Sequence, residues 1–170
     1  KTAYEIRNCD WSSDVCSSDL GALKGGLADV QRMPAAEEVL AGGADGEPRL
    51  YKIFREQARQ IGDDFNLIRA YRRFDGRVTD LDISKSGALF VAGSSGAVSG
   101  AARVYTVADP NKVVDLPGIT SPVFAVSMRA DEAQVAVAGF DGVVRLYNTT
   151  SGQLEAEFSA APLTSATAAK

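Results

Sequence analysis

With 170 residues, 45% of them apolar, the chain is long enough to form one domain around a hydrophobic core. It has no apolar run of the length that a membrane-spanning helix needs, so membrane insertion is not expected. Its 18 basic and 22 acidic residues also argue against non-specific binding to nucleic acid. The chain contains no histidine, which removes the usual base for a nucleophilic serine.

The first twenty residues differ in character from the rest. Residues 1–6 and 10–20 resemble a translated sequencing adapter, and the stretch between them has the length of a sample index. We therefore expect residues 1–20 to be a non-native, disordered leader and exclude them from the fold prediction. Cys9, Trp11 and Cys16 all fall in this leader, so the remaining chain offers no soft metal ligand and no information on redox compartment.

Residues 21–74 are predicted to form the first of three repeated units. A short strand is expected near residues 27–31, followed by a turn at Pro34 and then by a hairpin at Asp45-Gly46.

Apolar residues then recur at helical spacing, and Gly62 suits a helix C-cap. The pattern predicts a short helical insertion over residues 53–61. Residues 66–74 alternate between apolar and polar side chains and are predicted to be the outer strand of this unit.

The second and third units are predicted at residues 77–117 and 122–159, each with four short strands. Residues 160–170 are small, polar and patternless, which predicts a linker or a disordered tail. The expected structure is therefore all-β over residues 21–159.

The strongest local pattern lies in residues 135–147. A continuous apolar run leads to Asp141-Gly142, and a returning strand follows it. Asp-Gly is typical of a two-residue type I′ hairpin turn, which needs positive φ at both positions.

An Arg-x-Tyr triplet follows a glycine-bearing turn three times in the chain. The spacing from the second to the third triplet falls within the roughly 40–45 residues of a propeller blade, and the longer first spacing requires an insertion. We expect each tyrosine to pack inside its sheet, with the arginine over its ring or paired with a turn aspartate. The predicted structural repeat residues are Asp45, Gly46, Arg49, Tyr51, Arg103, Tyr105, Asp141, Gly142, Arg145 and Tyr147.

Residues 123–152 resemble a WD40 repeat, with Tyr147-Asn148 where that family usually has Trp-Asp and without its Gly-His dipeptide. Residues 40–64 resemble more narrowly the propellers of large envelope proteins of planctomycete-type bacteria, which often also carry a cytochrome c domain. The resemblance implies a β-propeller and a location in the periplasm or cell envelope. Because a propeller closes with about four to eight blades, three units predict part of a longer protein.

Two serine-containing segments are candidate sites. The Gly/Ser-rich residues 93–100 lack the lysine and the spacing of a phosphate loop, which favours a hairpin loop. Ser94 and Ser95 lack a Gly-x-Ser-x-Gly elbow and a base. Residues 84–86 contain a Ser-Lys-Ser sequence at the position expected for a polar turn.

Two groups of charged residues are further candidate sites. Asp63-Asp64 and the pair Asp80 and Asp82 lack the spacing of a Ca²⁺ loop, which favours solvated turns and a strand face. Three arginines interleave with aromatic residues, as at some RNA-binding surfaces, but the near-balanced charge favours an exposed outer strand. The residues of this segment are Arg69, Tyr71, Arg72, Arg73 and Phe74.

The sequence thus predicts no catalytic residue, no cofactor and no metal site. The expected function is a scaffold that contacts a protein partner or neighbouring domains of the same full-length chain through rigidly held loops. The alternative is an accessory propeller in a larger envelope redox enzyme whose chemistry lies outside this chain. A Cys-x-x-Cys-His motif in the unbroken gene would discriminate between the two.

Overall fold

The computed structural model describes residues 25–54 and 66–160. Within these two ranges the chain forms strands, turns and bends and no helix. Each strand has four to eight residues. The strands are β1 (Leu27–Arg32), β2 (Glu38–Gly43), β3 (Arg49–Lys52), β4 (Leu67–Ala70), β5 (Arg77–Ile83), β6 (Leu89–Ser95), β7 (Gly100–Thr106), β8 (Asp109–Leu116), β9 (Val123–Met128), β10 (Gln134–Gly139), β11 (Val143–Asn148) and β12 (Leu154–Ser159).

The strands form three four-stranded antiparallel sheets, in which each strand pairs with its neighbours in sequence. We call them sheet 1 (β1–β4), sheet 2 (β5–β8) and sheet 3 (β9–β12). The all-β prediction with three four-stranded antiparallel units is confirmed. Within the residues that the structure describes, the sheets form an open row that does not close on itself, which is consistent with part of a propeller-like fold.

The predicted helical insertion is not seen in the described residues. Ile53 and Phe54 form a bend, and residues 55–61 lie outside the described ranges. The predicted leader (residues 1–20), Asp63-Asp64 and residues 161–170 of the predicted tail also lie outside them.

Neighbouring sheets contact one another mainly through their first strands. β5 packs against β1 and β2 of sheet 1, and β9 packs against β5 and β6 of sheet 2. We call the side of a sheet that faces the next sheet in sequence its forward face, and the opposite side its rear face. Strand alternation divides the residues between them, so that in β6 Phe90 and Ala92 lie on the rear face and Val91 lies on the forward face.

Two hydrophobic cores fill the spaces between the sheets. The buried core between sheets 1 and 2 is rich in aromatic rings and comprises Met33, Leu40, Leu50, Tyr71, Phe74, Val78, Leu81, Phe90, Ala92 and Tyr105. The buried core between sheets 2 and 3 is mostly aliphatic and comprises Val91, Ala102, Val104, Leu116, Val123, Val126, Val135, Val137 and Tyr147. Burial of these apolar side chains is the main force holding the sheets together.

The predicted two-residue type I′ turn is wrong. Gly142 has a φ of 72°, but Asp141 is not among the residues of positive φ, whereas type I′ needs both. Gly142 N instead donates to Gly139 O at 3.2 Å, which closes a four-residue turn. The Asp141 side chain accepts a hydrogen bond from Val143 N at 3.1 Å. The aspartate therefore stabilises the turn through its carboxylate and not through its backbone conformation.

The predicted outer strand of the first unit is too long. β4 ends at Ala70, and beyond it Tyr71 N donates to Pro48 O at 3.0 Å and Phe74 N donates to Gly46 O at 2.9 Å. Tyr71 and Phe74 are each 2% exposed in the core between sheets 1 and 2. The alternating pattern extends past the strand because these two aromatic residues are buried by the next sheet.

Candidate functional site

The three tyrosines of the repeat are fully buried on the rear faces of their sheets. The Tyr105 hydroxyl donates to Arg72 O at 2.8 Å, and the Tyr147 hydroxyl donates to Pro117 O at 2.8 Å. Both acceptors lie just after the last strand of the preceding sheet. Burial raises the pKa of Tyr105 to about 12, so its hydroxyl remains a donor across the physiological range. Tyr105 and Tyr147 therefore link consecutive sheets by hydrogen bonds.

The first and third arginines of the repeat pair with the aspartates of their own turns. Arg49 Nη1 lies 2.5 Å from Asp45 Oδ2, and Arg145 Nη2 lies 2.7 Å from Asp141 Oδ2. Hydrogen bonding from Arg145 lowers the pKa of Asp141. Each of these two ion pairs stabilises the turn in which its aspartate lies.

The second arginine has no turn aspartate and is held differently. Arg103 Nε lies 2.6 Å from Asp115 Oδ1 on the neighbouring strand. Its guanidinium carbon lies 4.4 Å from the ring centroid of Phe74, which follows the last strand of the preceding sheet, so the arginine covers this ring and not that of its own tyrosine. Desolvation pulls the pKa of Asp115 upward, but Arg103 and Arg72 outweigh it and lower the pKa overall.

The aspartates weighed as cation ligands have a structural role that the sequence prediction missed. Asp80 Oδ2 accepts a hydrogen bond from Val126 N at 2.7 Å, and Asp82 Oδ2 accepts one from Met128 N at 2.6 Å. Desolvation raises the pKa of Asp80. Their carboxylates thus satisfy backbone amides of β9, the first strand of sheet 3. The available signal was the alternation of acidic and apolar residues in a strand predicted to be inside the protein.

The serines weighed as nucleophiles are bound within the sheets. Ser94 is 3% exposed, and its hydroxyl donates to Ala101 O at 3.2 Å. Ser95 is the last residue of β6, so the connection to β7 is reduced to residues 96–99, which Gly96 N closes by donating to Ser99 O at 2.7 Å. This geometry provides neither an exposed hydroxyl at Ser94 nor a phosphate-binding loop.

The Ser-Lys-Ser sequence forms the turn between β5 and β6. Ser84 Oγ accepts a hydrogen bond from Leu89 N at 3.1 Å. Ser86 N donates to Glu132 Oε1 at 2.7 Å, in the equivalent turn of sheet 3. Glu132 has a φ of 62°, which a glutamate rarely adopts, and occupies the position held by Gly87 in sheet 2. The contact links the turns of two sheets.

The arginine-rich segment weighed as an RNA-binding surface packs against sheet 2. The Arg69 guanidinium donates to Val107 O, and the Tyr71 hydroxyl donates to the same oxygen at 2.9 Å. Arg72 Nη1 lies 3.1 Å from Asp115 Oδ2. The polar groups of this segment therefore serve contacts between sheets.

A shallow groove remains at the end of the sheets where the β2–β3, β6–β7 and β10–β11 turns lie, which we call the hairpin end. Phe74, Asp75, Ser94, Gly96, Ser99 and Arg103 contribute to its lining. Two large apolar side chains project from the same end, Val98 at 85% exposure and Phe140 at 76%. The hairpin end thus combines a polar groove with exposed apolar side chains, which suits binding to another macromolecule more than chemistry.

Within residues 25–54 and 66–160, no group of three or more metal-ligating side chains comes together. The same residues include no helix that is both long enough and apolar enough to cross a membrane. A scan against protein-family models finds no match to the chain. A search of curated proteins finds no match either. The chain is therefore characterised by its all-β architecture of repeated sheets.

Proposed function

We propose that this chain is a WD40-like propeller segment that acts without catalysis, as a scaffold for a protein partner or for neighbouring domains of the same full-length chain. The observation that carries the proposal is the exposure of Val98 and Phe140 on turns held by tightly packed sheets. Exposed apolar side chains on a rigid frame lose little conformational entropy when a partner covers them.

The frame is rigid because three kinds of contact link each sheet to the next. The sheets share buried cores, the repeat tyrosines donate to carbonyl groups of the preceding sheet, and inner-strand carboxylates accept from backbone amides. The turns at the hairpin end are thereby held at fixed distances from one another. A surface of this kind recognises its partner by shape.

The test is site-specific photo-crosslinking in the cell of origin. A photo-reactive amino acid replaces Val98 at the hairpin end, and a matched control replaces Lys85, which is exposed in a turn at the opposite end of sheet 2. We expect crosslinks from position 98 to one partner or to a neighbouring domain, identified by mass spectrometry, and none from position 85. Equal crosslinking at both positions, or none at either, would refute the proposal.

The alternative is an accessory propeller of an envelope redox enzyme, and it rests on the sequence resemblance alone. It predicts that crosslinks from position 98 reach a haem-bearing domain encoded by the same gene. A gene without a Cys-x-x-Cys-His motif eliminates the redox alternative and leaves the scaffold proposal intact.

A further inference from the structure

Nine arginines lie in the described residues, and the fold uses the side chains of seven of them. Six form ion pairs with aspartates or glutamates, and Arg69 donates to Val107 O. The remaining two, Arg73 and Arg77, are exposed, and within residues 25–54 and 66–160 neither side chain has a hydrogen bond or an ion pair. These two cations are therefore available to a group outside the fold.

Both free arginines lie at the connection between sheets 1 and 2, at the hairpin end. Arg73 precedes Phe74, whose backbone N donates to the β2–β3 turn at 2.9 Å. Arg77 is the first residue of β5 and pairs across the strands with Ser95, next to the loop that carries Val98. The two arginines therefore flank the polar groove of the hairpin end, since the residues between them help to line it.

The groove has a local excess of positive charge. Arg103 lines it and shares Asp115 with Arg72, so that two positive charges stand against one negative charge. Asp75 also lines the groove and makes no ion pair with any other described residue. The groove and its flanks thus hold four arginines and two aspartates, in a chain whose formal net charge is −4. Such a site attracts an acidic group.

Close backbone packing holds the connection from both sides. A Cβ placed on Gly46 of the β2–β3 turn would overlap Gly76 O, and a Cβ placed on Gly76 would overlap Ser95 O at the end of β6. The connection therefore has no room to shift between these two hairpins. Because the backbone beside the arginines is fixed before a partner binds, little further ordering of the chain is needed on binding.

The uncharged residues beside the groove favour a protein segment over a nucleic acid. Ala97 and Val98 are exposed in the β6–β7 loop, where they can contact an apolar side chain. Single-stranded nucleic acids are bound largely by stacking of their bases on exposed aromatic rings. Tyr71 and Phe74, the rings beside this groove, are each only 2% exposed and cannot serve as stacking platforms.

We propose that the groove between sheets 1 and 2 binds an acidic segment of a protein partner. Carboxylates of the segment pair with Arg73 and Arg77, and an apolar residue of the segment packs against Val98. The inference rests on the proposed scaffold function and names the chemistry of its partner. Charged pairs at the rim of an interface act mainly on association rate and specificity, so binding should weaken as ionic strength rises.

The test measures the binding of three fluorescent probes to the full chain by fluorescence anisotropy. The probes are a glutamate-rich peptide with a central leucine, the same peptide with glutamine in place of glutamate, and poly-uridylate. We expect the acidic peptide to bind most tightly. Combining Arg73→Gln with Arg77→Gln should weaken its binding about fivefold, the effect of losing two partly screened ion pairs. Asp75→Asn should tighten its binding about twofold, because it removes a repelling carboxylate.

The matched control combines Lys85→Gln with Lys112→Gln, which removes two exposed cations that do not line the groove. This control changes the net charge by the same amount as the arginine double variant and should leave binding unchanged. Equal losses in the two double variants would overturn the proposal, as would equal binding of the glutamate and glutamine peptides. Tighter binding of poly-uridylate would overturn it in favour of a nucleic acid.

The crosslinking experiment from position 98 separates this inference from the scaffold proposal. A captured partner segment rich in aspartate and glutamate supports both. A captured segment without acidic residues overturns the acidic-segment inference and leaves the scaffold proposal intact. The absence of any crosslink refutes the scaffold proposal, and the peptide measurements then decide by themselves whether the groove binds acidic segments.

Discussion

The two interfaces between sheets bury equivalent positions with different chemistry. Between sheets 1 and 2, the Phe90 ring stacks on Tyr105 with centroids 4.7 Å apart, and it meets Tyr71 edge-on at 4.8 Å. Between sheets 2 and 3, Val135 occupies the position equivalent to Phe90, and Tyr147 is the only aromatic residue of the core cluster. The first interface therefore relies on ring packing and one carboxylate acceptor, Asp29. The second combines an aliphatic core with two carboxylate acceptors, Asp80 and Asp82.

The difference shows how one repeat tolerates sequence divergence. Both interfaces keep the hydrogen bond from the hydroxyl of the repeat tyrosine to a backbone carbonyl just after the last strand of the preceding sheet. Around this hydrogen bond, aromatic and aliphatic side chains can replace one another because both exclude water. Carboxylates satisfy the backbone amides at the interface. Four predictions test this comparison, in order of decreasing expected effect.

The largest effect is expected from Phe90→Ala, which removes a fully buried ring and leaves a cavity between Tyr71 and Tyr105. The expected loss in unfolding free energy is about 3–5 kcal/mol. Val135→Ala is the equivalent change in the second interface and should cost about 2 kcal/mol. Urea denaturation measures both, and equal losses would show that the aromatic cluster contributes no more than the aliphatic core.

Gly93→Ala tests the close approach of sheet 3 to β6, because a Cβ at position 93 would lie 2.7 Å from Val123 Cγ1. We expect a loss of about 1–3 kcal/mol from overpacking. Ala138 of sheet 3 has the register position that Gly93 has in sheet 2. The reverse change, Ala138→Gly, should cost only about 0.5–1 kcal/mol, because glycine adds conformational freedom to the unfolded chain. A double-mutant cycle with Val123→Ala should show coupling, and additive losses would mean that the two residues do not press on each other.

Asp80→Ala removes the acceptor for Val126 N and should cost about 1–2 kcal/mol, toward the lower part of the range for an unpaired amide. Asp80→Asn keeps an acceptor oxygen at the same place and should cost less. Hydrogen exchange at the Val126 amide is the direct measurement. If exchange at this amide is equally fast in both variants, the carboxylate does not cap the strand.

The smallest effect is expected at the turn of sheet 3, where Arg145 lowers the pKa of Asp141. The unfolded-state pKa is about 3.9, so the stabilisation is present above about pH 4 and is lost as the pH falls through the lower folded-state pKa. Since the pair is partly exposed, it should contribute less than about 1 kcal/mol. Stability measured against pH should fall less steeply below pH 4 in Asp141→Asn, and an unchanged slope would contradict the assignment.

Sequence patterns predicted the local structure of this chain well. The apolar runs and glycine-bearing turns gave three antiparallel units, because each hairpin is formed by residues close in sequence. The turn type was predicted incorrectly, since Asp141 acts through its side chain. The outer strand of sheet 1 was predicted too long because Tyr71 and Phe74 continue the alternating pattern while packing against a different sheet.

What the sequence by itself determined was which residues form strands and where the Arg-x-Tyr repeat recurs, since both depend on local spacing. Only the tertiary structure decided that Asp80 and Asp82 accept from a strand more than forty residues away, and that Ala138 takes the register position of Gly93. The physical reason is that a side chain's role in this fold depends on which sheet its face meets. That contact is set by the packing of whole sheets, which short-range periodicity does not encode.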